Sequence, residues 1–154
     1  MYLTTNEHGE QLLVTSASDL TRAASCEFAV ARDLDARLGR IAAVAQPTDE
    51  MLERTARLGD AHERAIIADY RARGDVLEID RATQSGLDAI EPFAEQTLEA
   101  LRAGVPVIVQ ATFVDRDHSP APSDSRQAEE LPIAFVGFAD FLVRTPEGAY
   151  RVQD

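Results

Sequence analysis

The chain contains no lysine: all fifteen of its basic residues are arginine, an absence that bears on catalysis below. Positive charge is also outweighed. The formal net charge is -12, which on its face argues against a nucleic-acid partner, because affinity for a phosphate backbone comes largely from cationic side chains. A single cysteine, Cys26, excludes an internal disulfide framework. No apolar run is long enough to cross a bilayer, so no membrane partner is expected. The N-terminus, Met1-Tyr2-Leu3-Thr4-Thr5, lacks the basic and apolar regions of a signal peptide, and a cytoplasmic location is the expectation.

What is present fits one domain over residues 1–154 with a sizeable core. Leu12-Leu13-Val14-Thr15 reads as a short strand or lead-in. Ser16-Ala17-Ser18-Asp19 then resembles a helix start, with a serine cap and an acidic first turn. The helix from Leu20 to about Leu38 would gather Leu20, Ala23, Ala24, Phe28, Ala31 and Leu34 near one face. Residues 39–47 form a connector. A second helix is predicted from Thr48 to Arg73, ended by Gly74. Its spacing puts Leu58, His62, Ala65, Ile66 and Asp69 on a shared face, so that His62 points toward the core with Glu63 beside it. Val76 to Ile79 is a short strand. Leu87 to Arg102 is a helix closed by Ala103-Gly104, which Pro92 either begins or kinks, and Val107 to Val114 is a further strand. The span of about 115–132, rich in proline, serine and acids, is expected to be a flexible loop. The order is that of an α/β or α+β domain.

The chemistry concentrates near the C-terminus. Ile133 to Val143 is an apolar run that reads as a strand buried on both faces, yet it holds Asp140 in its middle. An isolated carboxylate in a low-dielectric core costs several kcal/mol, so a partner is expected. A turn, Thr145-Pro146-Glu147-Gly148, leads to a second strand that ends in Asp154. Two acids on adjacent strands of a hairpin can face one divalent cation, which prefers oxygen ligands.

Gly59-Asp60-Ala61-His62-Glu63 on a helix, Gly137-Phe138-Ala139-Asp140 in a strand and Asp154 one strand later together resemble the RecB-like branch of the PD-(D/E)XK nucleases. Ser16-Ala17-Ser18-Asp19-Leu20 with Cys26 is similar to its opening helix. Thr97 to Gly104 and Val109-Gln110-Ala111-Thr112-Phe113 are similar to its middle helix and strand. The resemblance implies an α/β, restriction-endonuclease-like core, a mixed sheet flanked by helices. It implies a metal-dependent DNA nuclease, in the manner of DNA-repair exonucleases, with His62, Asp140 and Asp154 as both catalytic residues and ligands of Mg²⁺ or Mn²⁺. A lysine two residues after the last carboxylate would orient and deprotonate the attacking water. The chain supplies none, and the Gln and Tyr motif that follows in the family is missing too. The domain therefore reads as the N-terminal part of a longer nuclease, incomplete at its C-terminus and inactive or nearly so by itself. In many members Cys26 would join three later cysteines around a 4Fe-4S cluster; here it is expected to be a free thiol. DNA would be bound through the longer protein, and a sheet edge left open by truncation would favour a homodimer.

Plainer readings stand beside these. His62 alone is a core histidine with a hydrogen-bond partner. Asp140 alone caps a bulge or pairs with an arginine, Asp154 is a polar terminal residue, and Cys26 a small buried apolar one. Gln110 either touches substrate or metal-bound water, or bonds across the sheet. Arg22, Arg32 and Arg64 line a phosphate path or are solvated and paired along their helices. His8 and His118, in expected loops, receive no role. The alternative function is a non-catalytic nucleic-acid-processing or assembly domain that keeps the nuclease fold. A small acidic interaction protein without a metal is the third reading.

Overall fold

A computed structural model describes residues 1–6, 8–44, 50–80, 86–117 and 131–153; in the third helix the side chains of residues 50, 52–54, 56, 57 and 60 lie outside the description. The elements are β1 (Tyr2–Thr5), β2 (Gln11–Ser16), α1 (Ala17–Ser25), α2 (Glu27–Arg37), α3 (Glu50–Arg73), β3 (Val76–Glu78), α4 (Leu87–Ala103), β4 (Val107–Asp115), β5 (Ile133–Arg144) and β6 (Tyr150–Gln153). The strands form one mixed sheet in the order β1-β2-β5-β4-β3, with β6 paired to β5. The chain is thus α/β, with an open mixed sheet flanked by helices. It divides into two compact units, and α4, β4 and β5 each contribute residues to both.

The first unit comprises Met1–Ala43, Arg81–Ala94 and Thr112–Phe138. Its N-terminal hairpin was not foreseen. β1 pairs antiparallel with β2, and the signal for it was the turn between them. The Asn6 side-chain oxygen accepts from the His8 and Glu10 amides at 3.0 and 2.9 Å, and Gly9 takes a left-handed φ of 81°. β2 then runs parallel to β5, with Leu13 opposite Ile133 and Ser16 opposite Val136. Leu12, Val14, Ala134 and Val136 pack with Leu87 and Ile90 of α4. The apolar residues of α4 recur at a spacing that turns one stripe inward, which is how a helix covers a sheet.

The helix start at Ser16 agrees with the sequence. Buried Asp19 accepts from the Ser16 amide and hydroxyl at 3.0 and 2.8 Å, and its carboxylate also meets the Met1 ammonium at 2.6 Å. The single helix expected over Leu20–Leu38 is instead two. At Cys26 the backbone turns extended, with φ -160° and ψ 95°, and α2 restarts with the Ala29 amide donating to the Cys26 carbonyl at 3.1 Å. Serine and cysteine are mediocre helix formers, and neither announces a break as glycine or proline does. The break dismantles the expected apolar face, since Leu20 and Phe28 are 57% and 73% exposed. Arg22 ties the two helices by reaching Asp33 at 3.3 Å.

The second unit comprises Val44–Asp80, Glu95–Ala111 and Ala139–Asp154. β3 runs parallel to β4, with Val76 opposite Val107, and Ile79 extends the pairing through its amide to the Val109 carbonyl at 3.0 Å. α3 ends where expected, the Gly74 amide donating to the Tyr70 carbonyl at 3.1 Å. α4 closes at Gly104, whose φ of 74° suits glycine, and whose missing side chain leaves room for the Arg144 guanidinium. The hairpin of β5 and β6 is also as expected. Thr145 and Ala149 pair across the turn at 2.7 Å, and Phe141 lies opposite Gln153.

The phase of α3 differs from the expectation. Among its described side chains the buried one is Ile67, which packs with Val107, Val109 and Phe141, joined by half-buried Ile66 and Tyr70. The inward stripe is therefore Glu63, Ile66, Ile67 and Tyr70, at the i, i+3, i+4, i+7 spacing. The stripe is offset by about one residue from the expected face, and His62 and Leu58 are exposed. The run Ile133–Val143 is likewise not buried on both faces throughout. Its burial alternates over Ile133–Gly137 and then breaks at exposed Phe138, and Asp140 is exposed rather than buried.

Two outcomes follow from this packing. Ile67→Ala should cost about 2–5 kcal/mol, whereas Leu58→Ala should stay within about 0.5 kcal/mol; urea unfolding of both variants checks the helix phase. Burial opposes ionisation of Asp19, but the Met1 ammonium and the Ser16 donors outweigh it and hold the carboxyl below its ordinary range. A folded-state value below the unfolded one means that this contribution is present above about pH 4 and fades as pH falls through the folded-state value. Asp19→Asn should therefore cost about 1–3 kcal/mol at neutral pH and flatten the acid limb of the stability curve, measured by denaturant midpoints between pH 2 and 7.

Candidate functional site

The residues singled out by the sequence fall on α3, β4 and β5 of the second unit, with Cys26 in the first. Asp140 projects from β5, exposed, in a strand otherwise rich in apolar side chains. Its neighbour on β4 follows from two contacts. The Arg144 amide donates to the Pro106 carbonyl at 2.9 Å, and at Gly137 a side chain would meet Phe113. Moving from one contact to the other descends β5 by as many residues as it climbs β4, so the strands are antiparallel without a net insertion. Asp140 then stands across from Gln110.

Gln110 is the non-glycine residue with a left-handed backbone among those described, at φ 59°. This is a conformation that side chains other than glycine, Asn and Asp seldom adopt, and it costs on the order of 1–2 kcal/mol. Regular alternation from Val107 and Val109, which both pack on the α3 cluster, would turn Gln110 to the other side of β4. The left-handed residue redirects it, and its side-chain amide donates to the Glu63 carboxylate on α3. Gln110 thus bonds to a helix of the same unit. Local departures of this kind at the middle of a strand re-aim a side chain, and they recur beside functional sites.

Glu63 is the residue that sequence reasoning passed over. It was noted only as the neighbour of His62, and the structure exchanges their places. Glu63 is half-buried on the inward stripe and held by Gln110, while His62 is exposed. The signal existed in the spacing of Ile66, Ile67 and Tyr70, which sets the phase of the helix once the exposed Leu58 is left out. Tyr70 also anchors this helix to the hairpin, its hydroxyl donating to the Gln153 side-chain oxygen at 2.7 Å.

The remaining candidates are placed as follows. Asp154, one residue beyond the described end of β6, and His118 lie outside the described residues, as do the loop positions 118–130. No three side chains of His, Cys, Asp or Glu able to hold a metal come together among the described residues. Cys26 is an exposed free thiol at the junction of α1 and α2. A 4Fe-4S cluster takes four cysteine ligands, so the donor set of this chain does not fit one. Arg22 is engaged with Asp33 and Asp19, at 3.3 and 3.8 Å, and is not free to track a phosphate.

The first unit also holds an open cleft of about 770 Å³, lined in part by His8, Glu10, Asp88, Glu91, Arg116 and Asp117. Arg116 donates to both oxygens of Glu91 at 2.9 and 2.7 Å and to Asp88 at 2.7 Å. The Arg116 guanidinium in turn holds the Glu91 carboxyl below its ordinary range. With its cation committed to two acids and further acids around it, the cleft offers little attraction to phosphate.

The architecture defines an α/β domain with a mixed sheet and a strained, carboxylate-bearing centre on α3, β4 and β5. No protein-family model matches the chain, and neither a curated protein nor a solved structure matches it. No helix among the described residues is long and apolar enough to cross a membrane.

The strain argument makes a measurable distinction. Gln110→Ala keeps the left-handed backbone cost and loses the bond to Glu63, whereas Gln110→Gly loses the bond and removes the steric cost. Gln110→Ala should accordingly be the less stable by about 1 kcal/mol, read from urea midpoints at constant slope.

Proposed function

We propose that this is a metal-dependent nuclease domain of the RecB-like PD-(D/E)XK type, built to hydrolyse phosphodiester bonds of DNA. The observation that carries the reading is the exposed Asp140 in an apolar strand, across from a strained Gln110 whose amide holds Glu63. An acid kept in a strand without a burial cost, beside a backbone distortion, is the arrangement of a site rather than of a core. The α/β class with a mixed sheet is compatible with the fold that the resemblance implies.

By that resemblance His62, Asp140 and Asp154 would hold Mg²⁺ or Mn²⁺, which when bound lowers the pKa of a coordinated water and offsets charge on the scissile phosphate. Asp140 presents a hard oxygen donor to solvent, as such ions require. The chain has no lysine to orient the attacking water, so metal binding rather than turnover is the property to expect of it. A second reading, a non-catalytic assembly domain on the same fold, draws support from the net charge of -12. A surface of that sign opposes DNA unless a metal or a basic partner intervenes.

Calorimetric titration with Mn²⁺ decides between them. The nuclease reading expects saturable one-site binding that weakens at least tenfold in Asp140→Ala. Equal binding in the variant, or none in the parent, would favour the assembly domain.

A further inference from the structure

We propose that β1 is a docking edge for a second copy of this chain, the two β1 strands pairing antiparallel about a two-fold axis at Thr4. The proposal concerns the first unit alone and does not depend on the nuclease reading. It begins with the hydrogen bonds of the N-terminal hairpin. β1 ends the strand order and pairs on one side with β2, Tyr2 opposite Val14 and Thr5 opposite Gln11. One residue further on, the Asn6 amide donates to the Glu10 carbonyl at 2.9 Å. Bonded and non-bonded pairs alternate along an antiparallel ladder. The bonded pairs are therefore Thr4 with Leu12 and Tyr2 with Val14, and Leu3 and Thr5 turn their amides and carbonyls to the outer side. The amide of Leu13, which stands opposite Leu3, agrees: it donates away from β1, to the Pro132 carbonyl at 2.9 Å.

Sheet edges are normally blunted by charge, proline or a bulge. β1 has none of these. Its residues, Tyr2-Leu3-Thr4-Thr5, are uncharged and include no proline, and its register with β2 runs without an insertion. The strand at the other end of the order, β3, is guarded: Asp75, Glu78 and Asp80, all exposed, lie in or beside it. Copies of a chain with a net charge of -12 repel each other, and they meet at least cost where the strand is neutral. Both ends of β1 are also fixed. Met1 is held by its ion pair with buried Asp19 at 2.6 Å, and Asn6 by the turn bonds from the His8 and Glu10 amides. The edge is thus ordered before a partner arrives, which reduces the entropy lost on pairing.

The outward groups are complementary to themselves, and that identifies the occupant. With the axis at Thr4, Leu3 of one copy lies opposite Thr5 of the other and exchanges both backbone bonds with it, and the reverse pair does the same. Thr4 meets its own counterpart at the non-bonded pair between them. Two variants probe this register. Thr5→Pro removes an outward amide while leaving the bonds to β2 in place, a position that an edge strand tolerates. Thr4→Cys, made together with Cys26→Ser so that no other thiol is present, puts a thiol on the axis. The Cα separation of a non-bonded pair, about 4.5 Å, lies within the disulfide range of about 4.4–6.8 Å. Exposed Ser18, changed to Cys in the same background, is the control.

Sedimentation velocity of the whole chain over a concentration series reads the association, and circular dichroism with urea midpoints confirms that each variant is folded. The expected result is a reversible dimer whose dissociation constant rises at least tenfold in Thr5→Pro. Under mild oxidation Thr4→Cys should become a covalent dimer at least tenfold faster than Ser18→Cys. If Thr5→Pro does not fold, the rate of the Thr4→Cys cross-link decides alone. A monomer at every accessible concentration, with Thr4→Cys oxidising no faster than the control, would overturn the proposal. A dimer that keeps its affinity in folded Thr5→Pro and is not captured by Thr4→Cys would place the contact elsewhere and overturn it as well.

Discussion

The candidate site turns on one hydrogen bond, from the Gln110 amide to the Glu63 carboxylate. To make it, a residue in the middle of a buried strand leaves the extended region of the backbone and accepts a steric cost. The neighbours Val109 and Ala111 are fully buried, which is what allows the conformation to persist, because the surrounding packing over-determines it. A bond worth about 1 kcal/mol or somewhat more to a charged acceptor only roughly offsets such a cost. The pair is therefore explained poorly by stability and better by the placement of a carboxylate.

The same centre shows how packing and polarity divide a helix. Ile67 and Tyr70 of α3 face Val107, Val109 and Phe141, and Tyr70 lies with its ring centroid 5.9 Å from that of Phe141. One turn earlier the stripe carries Glu63 in place of an apolar residue. A carboxylate on an inward stripe is tolerated because Gln110 satisfies it and because the burial there is partial. Further along the helix, Arg71 and Arg73 are occupied with Glu78 and Asp69. These are exposed pairs that contribute little to stability, and they leave the last turn of α3 without free positive charge to offer a phosphate.

The acidity of the chain acts in the same direction in the first unit. Arg116 is enclosed by Glu91 and Asp88, and the cleft around it is otherwise acidic. For a domain proposed to act on DNA this is a constraint with a physical consequence. A divalent cation would have to supply the local positive charge that the side chains do not, since a polyanion gains nothing by approaching carboxylates.

Much was legible in the sequence by itself, for local reasons. The helix start at Ser16 was marked by its serine and by Asp19. The end of α3 and the turn before β6 were marked by Gly74 and by the Pro146 to Gly148 sequence. The strands β3, β4 and β5 were marked by runs of valine, isoleucine and phenylalanine; the α/β class followed from their order. Three features were decided only by tertiary structure. Two helices meet at Cys26, where the backbone turns extended and Arg22 reaches Asp33, a contact no local signal announces. The phase of α3 was misread because Leu58 and His62 mimic an inward spacing; Val107, Val109 and Phe141 select Ile67 and Tyr70 instead. The third is Gln110, whose left-handed backbone depends on a carboxylate 47 positions earlier in the chain. Sequence periodicity fixes which residues can share a face. Which face meets the sheet, and which polar pair bridges it, is settled by contacts between distant segments.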